Sequence, residues 1–460
     1  MIDGWTQTMG AAPLLGVAAG AIALILLLVI VFKLHAFLTL ILVSLLTAFA
    51  TGIPAGEIVN VLTSSFGTTL GSVALLVGLG AMLGKLVEYS GGAQALADKL
   101  IQLFGESRAP LALGITSLLM GFPMFFDAGL VVMLPVIFAV AARLGGPVLR
   151  YAIPAAVAFS VMHVFVPPHP GPVTATELYG ANLGLVLALG LLVAIPTWYV
   201  SGYLWGKVCA RQFPFTDSDG LFGTLDDGEV KNPPRVGTVL LVLLLPMLLI
   251  FMNTGLDFLR AAGTVNDEAT WFHVARAVGS SPVALLISVL VALGLLGSAR
   301  GENGTALEKI VDSALGPICS VVLITGAGGM FGGVLRASGI GQALSDSLEN
   351  IGLPVIVAAW VIAAIMRVAQ GSATVALVTA AGLVAPAVAA GDYSAGQLVA
   401  ITLATASGSV FASHVNDSGF WLVGRLFNMD VATTLRTWTV QQMLESLLGF
   451  AGSLILFAVL

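Results

Sequence analysis

Charge is what this chain has least of. Asp, Glu, Lys and Arg make up 9% of its 460 residues, where a soluble globular domain carries about 25%. So few charges cannot cover a water-exposed surface, and with 58% hydrophobic residues and a mean hydropathy of +1.02 the chain reads as an all-α polytopic membrane protein. The net charge of −6 argues against a nucleic-acid partner. Cysteine is nearly absent too. Cys209 and Cys319 lie on different segments with no Cys or His at ligand spacing, so they read as free, buried thiols rather than a disulfide or metal site. The first ten residues contain no Lys or Arg, so the basic region of a cleavable signal is missing. HExxH, GxSxG and Cys/His clusters are missing as well, which argues against a membrane-embedded enzyme and leaves no call for a metal or cofactor. The glycines at 78–80 and 326–329 follow no strand and precede no P-loop lysine; close helix packing is their reading.

What is present is a set of long apolar runs interrupted at four places: Gly121–Gly129, Val166–Pro172, Arg367–Thr374 and Ser413–Gly419. Helix breakers and ionisable groups at membrane depth are costly unless they are buried in protein or line a wet cavity. The runs 109–142 and 354–390 are too long for one span, and each reads as a re-entrant hairpin broken near Asp127 or Ser372. Residues 93–104 and 341–350 read as interfacial amphipathic helices. Shifting the chain by 248 residues lays 77–100 on 325–348 with 11 of 24 positions identical, among them Gly80/Gly328 and Gly84/Gly332. Asp127 to His169 and Ser372 to His414 are each 42 residues apart. The chain therefore divides into a first repeat, 1–206 (spans 11–86, re-entrant hairpin 109–142, broken helix 150–180, span 182–206), a cytoplasmic linker, 207–235, and a second repeat, 236–460 (spans 236–335, re-entrant hairpin 354–390, broken helix 397–425, span 438–460). Lys and Arg placement gives the repeats opposite topology, an arrangement common in secondary transporters. A channel is the alternative, but paired inverted hairpins fit alternating access better.

Each break offers candidate residues. Asp127, flanked by Phe125, Phe126 and Leu130, is suited to binding and releasing a proton; its plainer role is a helix cap. His169 and His414 either share in proton coupling and, with Asp127 and Asp417, in holding the substrate, or are held by carbonyls that the breaks set free. His163 reads as packing. Arg367, inside an apolar run, suits a substrate carboxylate, with an internal salt bridge to Asp417 or Asp127 as the other reading. Ser372, Thr374, Thr174 and Asn416 suit the hydroxyls of a polyol acid, although such side chains often bond their own backbone. The half-helix from Ala373 would aim its N–H groups at an anion. Glu177 reads as a charge carrier or as a cap for the helix after it.

At residues 123–129 (PMFFDAG), 167–172 (PPHPGP) and 413–421 (SHVNDSGFW), the chain resembles the gluconate:proton symporter family of bacterial permeases. The resemblance covers nearly the whole chain. It implies proton-coupled import of gluconate or a related aldonate across the inner membrane; idonate and D-serine permeases of the same family leave the substrate open. A larger group to which that family belongs includes sodium-coupled dicarboxylate transporters, which are dimers and move one domain as an elevator. By similarity, 109–206 and 354–460 would be the moving domain of a homodimer, with 11–86 and 236–335 as scaffold. Those relatives carry Ser-Asn-Thr at both tips. Here Phe126-Asp127-Ala128 and Gly371-Ser372-Ala373-Thr374 stand instead, an acid replacing a neutral ligand, which suits protons rather than sodium.

Overall fold

A computed structural model describes residues 5–213, 233–261, 264–265, 268–340, 342–343, 353–414 and 417–460. With the lipid core offering backbone groups no partners, helices are the economical way to cross it, and the described residues are helical almost throughout. In chain order they are α1 (Ala11–Leu26), α2 (Ala36–Ala50), α3 (Ala55–Tyr89), α4 (Gly92–Phe104), α5 (Ala109–Gly121), α6 (Phe126–Leu144), α7 (Leu149–Phe165), α8 (Pro170–Tyr179), α9 (Leu183–Gln212) and α10 (Val236–Ala261). They continue with α11 (Thr270–Gly279), α12 (Ser281–Arg300), α13 (Gly304–Ser313), α14 (Leu315–Ala337), α15 (Val355–Gln370), α16 (Ala373–Ala390), α17 (Ala395–Gly408), α18 (Ser418–Leu426) and α19 (Val431–Val459). Among the described residues, eight helices are long and apolar enough to cross a membrane.

Short polar residues set several helix starts. Asn182 caps α9 and Asn303 caps α13, while Ser394 and Gln397 form a reciprocal capping box at α17. Glu177 therefore does not cap α9; it stands exposed on α8. α6 bends by 41° between Leu134 and Val136, where Pro135 withholds a backbone donor.

Burial sorts the helices into an inner and an outer group. In α7 every residue from Tyr151 to Phe165 except His163 is buried, as are 375–388 of α16 and 399–408 of α17. Helices apolar on all sides belong in the middle. Around them, α2 turns Leu38, Leu42, Leu46 and Phe49 outward and α12 turns out Leu286 and Leu290, faces suited to acyl chains. α3 and α14 pack along each other, and α14 also lies along α16. Their glycines make this possible. A Cβ on Gly328 would fall 2.1 Å from Val378 Cγ1, and one on Gly332 would fall 2.9 Å from the Gly382 backbone.

Several expectations are refined. The span placed at 63–86 runs from Ala55 to Tyr89, and that at 236–253 continues to Ala261. Cys209 is buried, but Cys319 is exposed. The amphipathic helix expected at 93–104 is present as α4; most of its counterpart at 341–350, and most of the linker, lie outside the described residues.

Candidate functional site

The four interruptions fall where the apolar runs contain Pro, Gly and polar residues, and each has its own local chemistry. α5 stops at Gly121, and α6 restarts at Phe126 after Phe122-Pro123-Met124-Phe125. Phe125 is the residue before α6 and offers no side-chain cap. Asp127 thus does not cap the helix; it sits in the first turn, where the helix dipole favours a negative charge. α7 and α8 are separated by Val166–His169, which contains a cis Pro167–Pro168 bond. α15 ends at Gly371, whose φ of +82° only glycine adopts without strain, and the Ser372 hydroxyl caps α16. α17 and α18 are separated by 409–417.

Side chains tie these breaks together in pairs. His169 Nε2 donates to the Gly121 carbonyl at 2.8 Å, and His414 Nε2 donates to the Val368 carbonyl at 3.0 Å. Both histidines thereby donate to a carbonyl in the last turn of a helix. Arg367 donates through Nη1 to the Gly371 carbonyl and through Nη2 to Asp417 Oδ2, tying the end of α15 to the last break. Asp417 accepts further hydrogen bonds from Ser413 Oγ and from Gly419 N, the latter at 2.9 Å. Trp438 Nε1 donates to Ser413 Oγ at 3.2 Å.

Three of the breaks, all but Val166–Pro172, contribute residues to a cavity of about 240 Å³. Its polar wall is formed by Asp127, Ser160, His163, Arg367, Ser372, Thr374, Asp417 and Gln442, and Phe125, Phe126, Val164, Ile324, Val410 and Trp438 supply the apolar wall. His163 and Thr374 face each other at 3.1 Å. Arg367 and Asp417 cancel each other's charge. Asp127 has no hydrogen-bond partner among the described residues and is free to meet a ligand or a proton. A second cavity of about 270 Å³, holding the Lys85–Glu88 ion pair, shares Phe125 and Asp127 with the first. Asp127 therefore stands in the partition between two openings. No group of three His, Cys, Asp or Glu among the described residues is arranged to hold a metal.

Of the residues picked out in the sequence, Asp127, Arg367, Ser372, Thr374 and Asp417 share this cavity. His169 and His414 do not line it and act as clasps. Thr174 is fully buried, its hydroxyl returned to the Pro170 carbonyl at 2.6 Å. Asn416 lies outside the described residues. His163, expected to be packing, lines the cavity instead, and Ser160, Gln442 and Trp438 were missed.

Residues 12–460 match the family described as GntP family permease. The chain is 39% identical to the inner membrane permease YgbN of Escherichia coli K12, covering 98% of this chain and 99% of that protein. It is 38% identical to the L-idonate transporter of the Gnt-II system of the same organism, covering 97% and 100%. It is also 38% identical to the gluconate permease of Pseudomonas aeruginosa, covering 93% and 94%. The fold resembles that of the Alcanivorax borkumensis YdaH transporter, with a TM-score of 0.59 at 16% identity over 92% of this chain and 97% of that one. With eight apolar spans and a family match along almost its entire length, this chain is a multi-pass membrane protein that belongs to the GntP family of permeases.

Proposed function

We propose that the chain imports gluconate or a closely related hydroxy-carboxylate with protons across the bacterial inner membrane, as a secondary transporter. The observation that carries this reading is the cavity where three of the helix breaks meet. There Arg367 and the N–H groups opening α16 offer a carboxylate its donors, and Ser372, Thr374 and His163 offer partners for hydroxyls. A volume of about 240 Å³ equals roughly eight waters at about 30 Å³ each, the scale of a small organic acid. Asp127, open to this cavity and to the one behind it, is placed to take a proton on one side and release it on the other. Relatives named gluconate permease and L-idonate transporter support the substrate class; D-serine or another small organic anion is the alternative.

We also infer that the two halves are inverted repeats working as an elevator, with 109–206 and 354–460 moving against 11–86 and 236–335. Unequal packing of equivalent glycines supports this. Gly328 and Gly332 face Val378 and Gly382, within the second hairpin. Their counterparts Gly80 and Gly84 face Pro168 and Pro123, at the breaks. At the 245-residue offset that matches Asp127 to Ser372, Gly80 and Gly84 would instead face Met133 and Ile137. Exchanging the two registers slides the first hairpin along α3. A ligand drives that exchange only by binding one register better than the other.

The deciding test is uptake of labelled gluconate into proteoliposomes with an imposed pH gradient. Saturable, gradient-driven accumulation with counterflow is expected, and Asp127→Asn should abolish the proton dependence while the protein still inserts. Unsaturable flux would mark a channel. Full coupling in Asp127→Asn would remove Asp127 from the mechanism.

A further inference from the structure

Behind the cavity wall, α19 carries a carboxyl that none of the roles above employs. Glu445 has 0% exposure. Ser160 Oγ donates to its Oε1 at 3.0 Å, and the amides of Gln441 and Gln442 donate to its Oε2 at 2.8 and 3.0 Å. The Gln442 amide also donates to Ser160 Oγ at 2.9 Å. Ser160 and Gln442 line the cavity, so one layer of side chains separates Glu445 from it.

No ion pair holds Glu445 among the described residues. Of the helices packed around it, α17 carries no titratable side chain, α7 brings His163 and α15 brings Arg367. α9 carries Tyr199, Tyr203, Lys207, Cys209 and Arg211. None of these reaches the carboxyl within hydrogen-bond distance. Arg367 is the cation nearest in effect, and its charge is committed to Asp417. An ionised carboxyl at membrane depth served only by neutral donors carries a cost that a bound proton removes. The glutamine amides can turn, offering N–H to a carboxylate or C=O to a carboxylic acid, so the network is satisfied in both states.

We propose that Glu445 is a second proton-carrying site, loaded through Ser160 together with the anionic substrate. Ser160 gives its hydroxyl hydrogen to Glu445 Oε1 as it takes one from the cavity, so the hydroxyl is regenerated and the carboxylate becomes a carboxylic acid. Release reverses the transfer. An anion entering beside two unmatched carboxylates is repelled, and neutralising both removes the repulsion. Substrate and proton therefore raise each other's affinity. The assignment rests on the proton-symport reading.

The test uses the full chain in proteoliposomes and counts protons moved per labelled gluconate. Glu445→Gln is expected to move one proton fewer per gluconate while retaining counterflow, which lowers gradient-driven accumulation about tenfold per imposed pH unit. Glu445→Asp is expected to keep the wild-type ratio. If Glu445→Gln shows no counterflow, calorimetry of gluconate binding in two buffers of different ionisation enthalpy decides: one proton fewer taken up than in wild type supports the assignment, and an equal number overturns it. A proton-coupled wild type with an unchanged ratio in Glu445→Gln removes Glu445 alone. A wild type that moves no protons removes the symport reading as well, and that result appears before any variant is made.

Discussion

Replacing Asp417 with Leu should be far more harmful than replacing Asp417 and Arg367 together. The pair is deeply enclosed, with side-chain exposures of 3% for Arg367 and 9% for Asp417. Taking away the carboxylate leaves a buried guanidinium whose only partner among the described residues is the Gly371 carbonyl, since Nε already lacks one there. Breaking a buried pair in this way costs about 3–5 kcal/mol, whereas exchanging both members for apolar residues of similar size is close to neutral. The prediction is that Asp417→Leu lowers the melting temperature of the detergent-purified protein by several degrees. Arg367→Met/Asp417→Leu should recover most of that loss. The double variant should not bind gluconate, because the anion's donor is missing. A single variant within about 1 kcal/mol of wild type, or a double variant as unstable as the single, would show that the guanidinium is reached by water and that the tie between the end of α15 and the last break contributes nothing.

Two further outcomes follow from the tips and the glycine contacts. Gly371→Ala places a Cβ at φ +82°, which costs about 1–2 kcal/mol; reduced uptake with a modest fall in melting temperature is expected, and wild-type behaviour in both would show that the turn is not held in this conformation. In a background lacking Cys209 and Cys319, Gly328→Cys/Val378→Cys should oxidise readily, because a Cβ at 328 stands 3.4 Å from Val378 Cβ, near the separation of about 3.8 Å in disulfides. Gly80→Cys/Met133→Cys should form its bridge only under turnover conditions, and either bridge should stop uptake. Failure of the second pair to cross-link in any condition would refute the register exchange.

The sequence made the breaks legible because Pro, Gly and ionisable residues are conspicuous inside apolar runs. Arg367 and Asp127 could be found for the same reason: a charge in such a run has few inexpensive places to go. Glu445 carried the same signal, with Gln441 and Gln442 beside it, but the run 438–460 was read by its overall hydropathy. Ser160 and His163 were beyond local reading. Their meaning comes from partners 285 and 211 residues away, and no window of sequence holds both ends. Thr174 failed in the opposite direction: a threonine after a proline-rich break looked like a ligand, yet its hydroxyl returns to its own helix. His169 and His414 kept their matched spacing but serve as matched clasps.

The bond from Ser160 to Glu445 spans 285 residues, and this sets a schedule for biogenesis. At about 5–20 residues per second, roughly 15–60 s of synthesis separate the two side chains. Throughout that interval the most enclosed helix of the first half has no final resting place. The nascent chain must wait, its serine and histidine sheltered by the insertion machinery or by provisional neighbours, until the last helix emerges and closes the protein around them.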